Sequence, residues 1–144
     1  MTRKDFLQQL GAGAFFVLAT PCLHSCTKEN NGDDTPSAGD KDFEVDLADA
    51  AFTSAIASIG FAVVNEVVIA PVASGYAAAS RVCAHEGTRF VTYDEAEDQW
   101  FCTTHGARFD RATGEAENDV TDRTLRIYRT ELVDGGAKLR VFSR

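Results

Sequence analysis

The sequence predicts an all-β domain, a small antiparallel sandwich or barrel, preceded by a segment that does not belong to it. Three observations carry this. From Lys41 onward the apolar residues recur mainly with period two, turn residues punctuate them at short intervals, and only one short stretch reads as helix.

The elements follow in order. Phe43, Val45 and Leu47 alternate with Asp42, Glu44 and Asp46, as in a half-buried strand. Residues 49–56 predict a short helix, with Asp49 as N-cap and Phe52 and Ile56 one turn apart. The apolar runs 61–64 and 67–70 flank Asn65-Glu66 and predict a hairpin. Ser74-Gly75 turns the chain before a strand at 76–80, and 90–93 with 99–101 predict a second hairpin. Leu125 and Ile127 then alternate with Arg126 and Tyr128. Asp134-Gly135-Gly136 turns the chain once more, and Leu139 and Val141 close the domain. No internal repeat is evident.

Residues 1–25 are expected to be an export signal. Arg3 and Lys4 form its positive region, and the apolar run 10–23 is too short to span a bilayer comfortably. Leu23-His24-Ser25-Cys26 resembles a bacterial lipobox with an atypical His24, so cleavage would leave Cys26 as a lipid-bearing N-terminus. Pro21 makes Cys22 the poorer candidate, and the alternative is a plain secretory signal with Cys26 incidental. Thr2-Arg3-Lys4-Asp5-Phe6-Leu7 resembles a twin-arginine signal with lysine in place of the second arginine. Residues 26–40 have no large apolar side chain and are expected to form a flexible tether, leaving 41–144 as the folded domain.

The segment through Ser25 carries +1, which leaves the rest of the −8 chain at −9. So acidic a mature chain repels phosphate backbones, so nucleic acid is not an expected partner. A docking partner would more plausibly present a basic face.

The cysteine count narrows the chemistry. Cys22 and Cys26 fall in the signal and its lipobox, so the domain keeps Cys83 and Cys102, with His85 and His105. Two cysteines and two histidines in two short stretches form a ligand set, not a disulfide framework. The pattern is Cys83-x-His85, sixteen residues, then Cys102-x-x-His105, with Gly87 and Gly106 close behind the histidines. Such a set satisfies tetrahedral zinc, and equally a [2Fe–2S] cluster with both thiolates on one iron and both imidazoles on the other. Structural zinc usually draws on a C-x₂₋₄-C knuckle, which this domain lacks.

The stretch "CAHEGTRF…QWFCTTHGARFDRATGE" resembles Rieske iron–sulfur proteins, including the Gly-x-x-Phe-Asp and Thr-Gly after the second ligand pair. The resemblance runs from about Phe43 to Phe142. It implies a three-sheet antiparallel fold with a small cluster-binding subdomain. It also implies one [2Fe–2S] cluster held by Cys83, His85, Cys102 and His105, and one-electron transfer through partly exposed histidines.

Departures from that family are as informative. High-potential members carry an extra cysteine in each loop, joined as a disulfide; here the positions are Thr88 and Thr103. Their serine and tyrosine hydroxyls, which bond cluster and ligand sulfur, correspond to Ala107 and Phe109. Missing donors and acidity both disfavour an added electron, so a potential toward the low end of roughly −150 to +300 mV is expected. The Gly-Pro lid of the family is replaced by 117–122, where either the cluster is more exposed or Asn118 and Asp119 supply the turn by side-chain hydrogen bonds. Trp100 and Phe101 are expected to pack in the core. Glu86 reads as an exposed loop charge, with a part in proton-coupled redox as the alternative, and Arg108 and Arg111 as solvated surface, with a partner contact as theirs.

The expected function is therefore one-electron transfer between larger redox partner proteins, in an exported, membrane-anchored lipoprotein facing the periplasm or cell exterior. The alternatives are a zinc-stabilised binding or structural lipoprotein, and a small subunit of a membrane oxidoreductase. No nucleophile, base or substrate site of its own stands out.

Overall fold

The computed structural model describes residues 38–143. The expected signal, Cys26 and most of the expected tether lie outside these residues. The chain divides into two units, Met1–Asn31 and Gly32–Arg144, and the fold is that of the second.

Nine strands form two antiparallel sheets that curl into a half-barrel. In chain order, with one α-helix among the strands, the elements are β1 (Asp42–Asp46), α1 (Ala50–Ile59), β2 (Ala62–Val64), β3 (Val67–Val72), β4 (Gly75–Ser80), β5 (Val91–Asp94), β6 (Gln99–Cys102), β7 (Arg108–Asp110), β8 (Ile127–Val133) and β9 (Lys138–Phe142). The larger sheet has the order β1-β9-β8-β4-β3-β2, and the smaller β5-β6-β7. The smaller sheet is the expected subdomain. Two of the three expected sheets merge in the larger one. The start of β8 pairs with β4 (Ala79↔Ile127), while its remainder pairs with β9 (Arg129↔Phe142 to Val133↔Lys138).

Local chemistry explains the elements. Asp49 caps α1 by accepting from Phe52 N at 2.9 Å, and Gly60 ends it in the left-handed conformation. That glycine lets the helix run three residues past the predicted Ile56. Asn65 and Glu66 both take positive φ, 50° and 64°, which suits the twist of a two-residue hairpin. Pro71 is tolerated in β3 because β2 pairs only as far as Ile69, so the missing N–H breaks no ladder.

β3 shows why part of the domain lacks alternation. Val67 and Ile69 face one core with Val45, Phe52, Ala62, Ala78, Tyr128, Leu139 and Val141. Val68 and Ala70 face the other, between the sheets, with Val91, Trp100, Phe109 and Leu125. A strand covered on both faces reads as one apolar run. Cys83 and Cys102 lie in the second core, so the ligand loops grow directly out of it.

The start and end of the folded unit meet on one edge. Lys41 N donates to Ser143 Oγ and Ser143 N to Lys41 O, both at 2.8 Å. Tyr128 donates to Gly39 O at 3.1 Å, so the chain is gripped from Gly39 onward. Two cross-strand ion pairs, Arg140–Asp42 and Lys138–Glu44, line the β1–β9 edge.

Candidate metal centre

Both ligand loops are the same turn. In the first, Gly87 N donates to Cys83 O and Cys83 N to Thr88 O, each at 2.8 Å. In the second, Gly106 N donates to Cys102 O and Cys102 N to Ala107 O, each at 2.9 Å. The glycine stands four residues after the cysteine in each, with φ of 70° and 73°, a conformation that favours glycine. The loops differ in where the imidazole is mounted, two residues after Cys83 but three after Cys102. β5 and β6 hold their bases together through the pair Val91↔Cys102.

Each sulfur is wrapped by its own loop. Cys83 and Cys102 are free thiols, fully buried. Cys83 Sγ accepts from the backbone N–H groups of His85 and Glu86, and Cys102 Sγ from those of Thr104 and His105. Burial pushes the Cys83 thiol up to about 11. Burial opposes ionisation of Cys102 as well. The Cys83 S–H, the Thr104 N–H and the Thr88 hydroxyl outweigh it and hold its pKa below the ordinary thiol value.

The imidazoles stand edge to face, with ring centroids 4.8 Å apart and planes at 80°. Their Nδ1 atoms are buried and have no hydrogen-bond partner. Buried polar atoms are ordinarily satisfied, so two orphaned ring nitrogens on the same two loops as the buried thiols mark positions for a bound group. The Nε2 atoms face outward to Glu86, whose Oε2 lies 3.0 Å from His105 Nε2 and whose Oε1 lies 3.9 Å from His85 Nε2. The donor set of two sulfurs and two Nδ1 atoms fits a [2Fe–2S] cluster of the mixed thiolate–imidazole kind.

Around the donors, several expectations take definite form. Ala107 and Phe109 are completely buried, so neither position offers a hydroxyl to sulfur. Thr88, however, does more than lack a thiol: its Oγ1 lies 3.7 Å from Cys102 Sγ, across from one loop to the other. Thr103 instead turns back to Phe90 O. The third loop is tied down by side chains. Asn118 Nδ2 donates to Gly106 O at 2.8 Å and its Oδ1 accepts from Arg108 N at 3.2 Å, while Arg123 Nη1 reaches His85 O at 3.4 Å. Trp100 is buried and donates from Nε1 to Arg111 O. Arg108 and Arg111 are not merely solvated: they pair with Asp94 and Asp98, and Arg108 stacks over Phe101.

Fold and donors define a small β protein whose two matched turns present candidate donors for a metal–sulfur centre. The family model for the Rieske [2Fe-2S] domain matches residues 40–129, and the chain belongs to that family. Such domains carry a [2Fe–2S] cluster and transfer electrons, and that is the chemistry of this chain. Similar solved structures include the cyanobacterial plasma membrane Rieske protein PetC3 from Synechocystis PCC 6803, at 22% identity. That match covers 63% of this chain and 94% of that one, with a TM-score of 0.48. Another is the ferredoxin of carbazole 1,9a-dioxygenase from Nocardioides aromaticivorans IC177, at 20% identity over 60% of this chain and 88% of that one, TM-score 0.49. No curated protein matches by sequence.

Proposed function

We propose that the chain is an exported, lipid-anchored one-electron carrier of low potential. Cys83 and Cys102 would hold one iron of the cluster, with His85 and His105 on the other through Nδ1. The observation that carries the assignment is the pair of orphaned, buried Nδ1 atoms on the same two loops as the buried thiols. When bound, the cluster supplies a centre that takes up and releases a single electron. The chain's part is to hold the four donors from two matched turns, bury the sulfurs, and leave the imidazole edges partly exposed, 25% and 30% for His85 and His105. Electrons would pass to and from redox proteins at that edge.

The low potential rests on the buried Ala107 and Phe109 and on the acidity of the domain. The Thr88 hydroxyl offsets part of this loss. Anchoring rests on the lipobox resemblance ending at Cys26, with residues 26–40 as tether and 41–144 as the cluster domain.

The test is direct. The purified protein should be red-brown and give a rhombic EPR signal on reduction, and H85C should lower its midpoint potential markedly. A colourless protein that binds zinc instead would overturn the ligand assignment. A wild-type midpoint above about +100 mV, within the roughly −150 to +300 mV Rieske range, would overturn the low-potential reading. Labelling with a radioactive fatty acid, lost in C26S, checks the anchor.

A further inference from the structure

Glu86 was expected to be a loop charge, yet the structure gives it a fixed address. Its backbone N–H donates to Cys83 Sγ, so the residue is held by the ligand loop itself. From there its side chain, 57% exposed, lies over the outer edges of both histidines. One carboxylate oxygen is at hydrogen-bond distance from His105 Nε2 and the other stands 3.9 Å from His85 Nε2. The nearby Arg89 already pairs with Glu66 at 3.0 Å.

We propose that Glu86 is a positioning residue that caps both imidazoles from outside and lowers the cluster's potential. The inference rests on the assignment of His85 and His105 as ligands made above. A histidine that binds iron through Nδ1 carries its remaining proton on Nε2. A carboxylate that accepts that proton fixes the tautomer and the ring plane, and makes the ring a stronger donor to the metal. Added electron density on the iron and a fixed negative charge beside it both disfavour reduction. A single side chain thus couples the two rings, which the backbone mounts on separate loops.

The experiment compares wild type, E86Q and a charge control, E131Q, whose exposed side chain lies on β8 of the larger sheet. Iron and sulfide content, midpoint potential at pH 7 and pulsed EPR of the reduced state are measured on each. E86Q should shift the equilibrium at least threefold toward reduction, about 30 mV for one electron, and E131Q should shift it less. Coupling to two histidine nitrogens should persist in both. If that coupling persists and E86Q moves the potential no more than E131Q does, the role of Glu86 is overturned. If wild type lacks the coupling altogether, the ligand assignment falls, and the inference with it. A second measurement needs no cluster. In the apoprotein, nitrogen NMR should show His105 as the Nε2–H tautomer, and E86Q should weaken that preference. An unchanged tautomer ratio also overturns the positioning role.

Discussion

The Thr88 hydroxyl reaches from the first ligand loop to within 3.7 Å of Cys102 Sγ in the second. With Cys102 as thiolate, only the hydroxyl can donate. A hydrogen bond to ligand sulfur stabilises the reduced state, so T88V should lower the midpoint potential by about 30 mV, a threefold change. T88S should restore most of it. Redox titration of the three proteins decides the point.

Asn118 stands where proline stiffening was absent from the sequence, and its amide spans Gly106 O and Arg108 N. N118A removes both bonds and should cost about 1–2 kcal/mol in chemical denaturation. Because Gly106 adjoins His105, the variant should also lose iron to a chelator faster than wild type. N118D keeps the acceptor, loses the donor, and should fall between the two.

Gly114 is a close approach. It has φ of 76°, and a Cβ there would lie 2.1 Å from Leu125 O, while Leu125 N donates to Gly114 O at 2.8 Å. This contact binds the turn after β7 to the segment entering β8. G114A must break it and should lower stability by at least about 2 kcal/mol. At Gly135, with φ of 66° and open space around it, alanine meets only the conformational cost, about 1 kcal/mol. Paired thermal melts separate the two.

Asp110 governs part of the acid response. The Thr113 N–H, first among its partners, together with the Thr113 hydroxyl and the Ala112 N–H, holds its carboxyl below the usual aspartate value against the opposing effect of burial. Its folded pKa lies below the unfolded value of about 3.9. The stability it adds is therefore fully present above that value and lost as pH falls through the folded one. D110N should be less stable than wild type at neutral pH. The gap should close as pH falls below about 4 in denaturation curves.

The candidate donor set rests on the scarcity of cysteine and histidine here and on a spacing that repeats a known pattern. β1, the β2–β3 hairpin and β9 were legible because period two and turn residues are local signals. β7 was not: Arg108–Asp110 is three residues long and is a strand only because β6 pairs with it, Trp100↔Phe109 among others. The reach of Thr88 to a sulfur fourteen residues away, and of Asn118 to another loop, depends on tertiary placement that spacing does not encode. Glu86 gave one available signal, a carboxylate adjoining a candidate ligand histidine, but its second histidine comes from the far loop.

The grip on Lys41 has a mechanical consequence. A pull transmitted from the preceding chain enters the domain through β1, whose five register pairs with β9 run from Asp42↔Phe142 to Asp46↔Lys138. Drawn along the strand axis, those ladder bonds share the load in shear instead of opening one by one. The second loop joins β6 to β7 of the other sheet, and the first leaves β4, three places from β1 in its own sheet, so both lie off that line. A leash fastened there could haul the domain about without tugging on the loops that carry the candidate ligands.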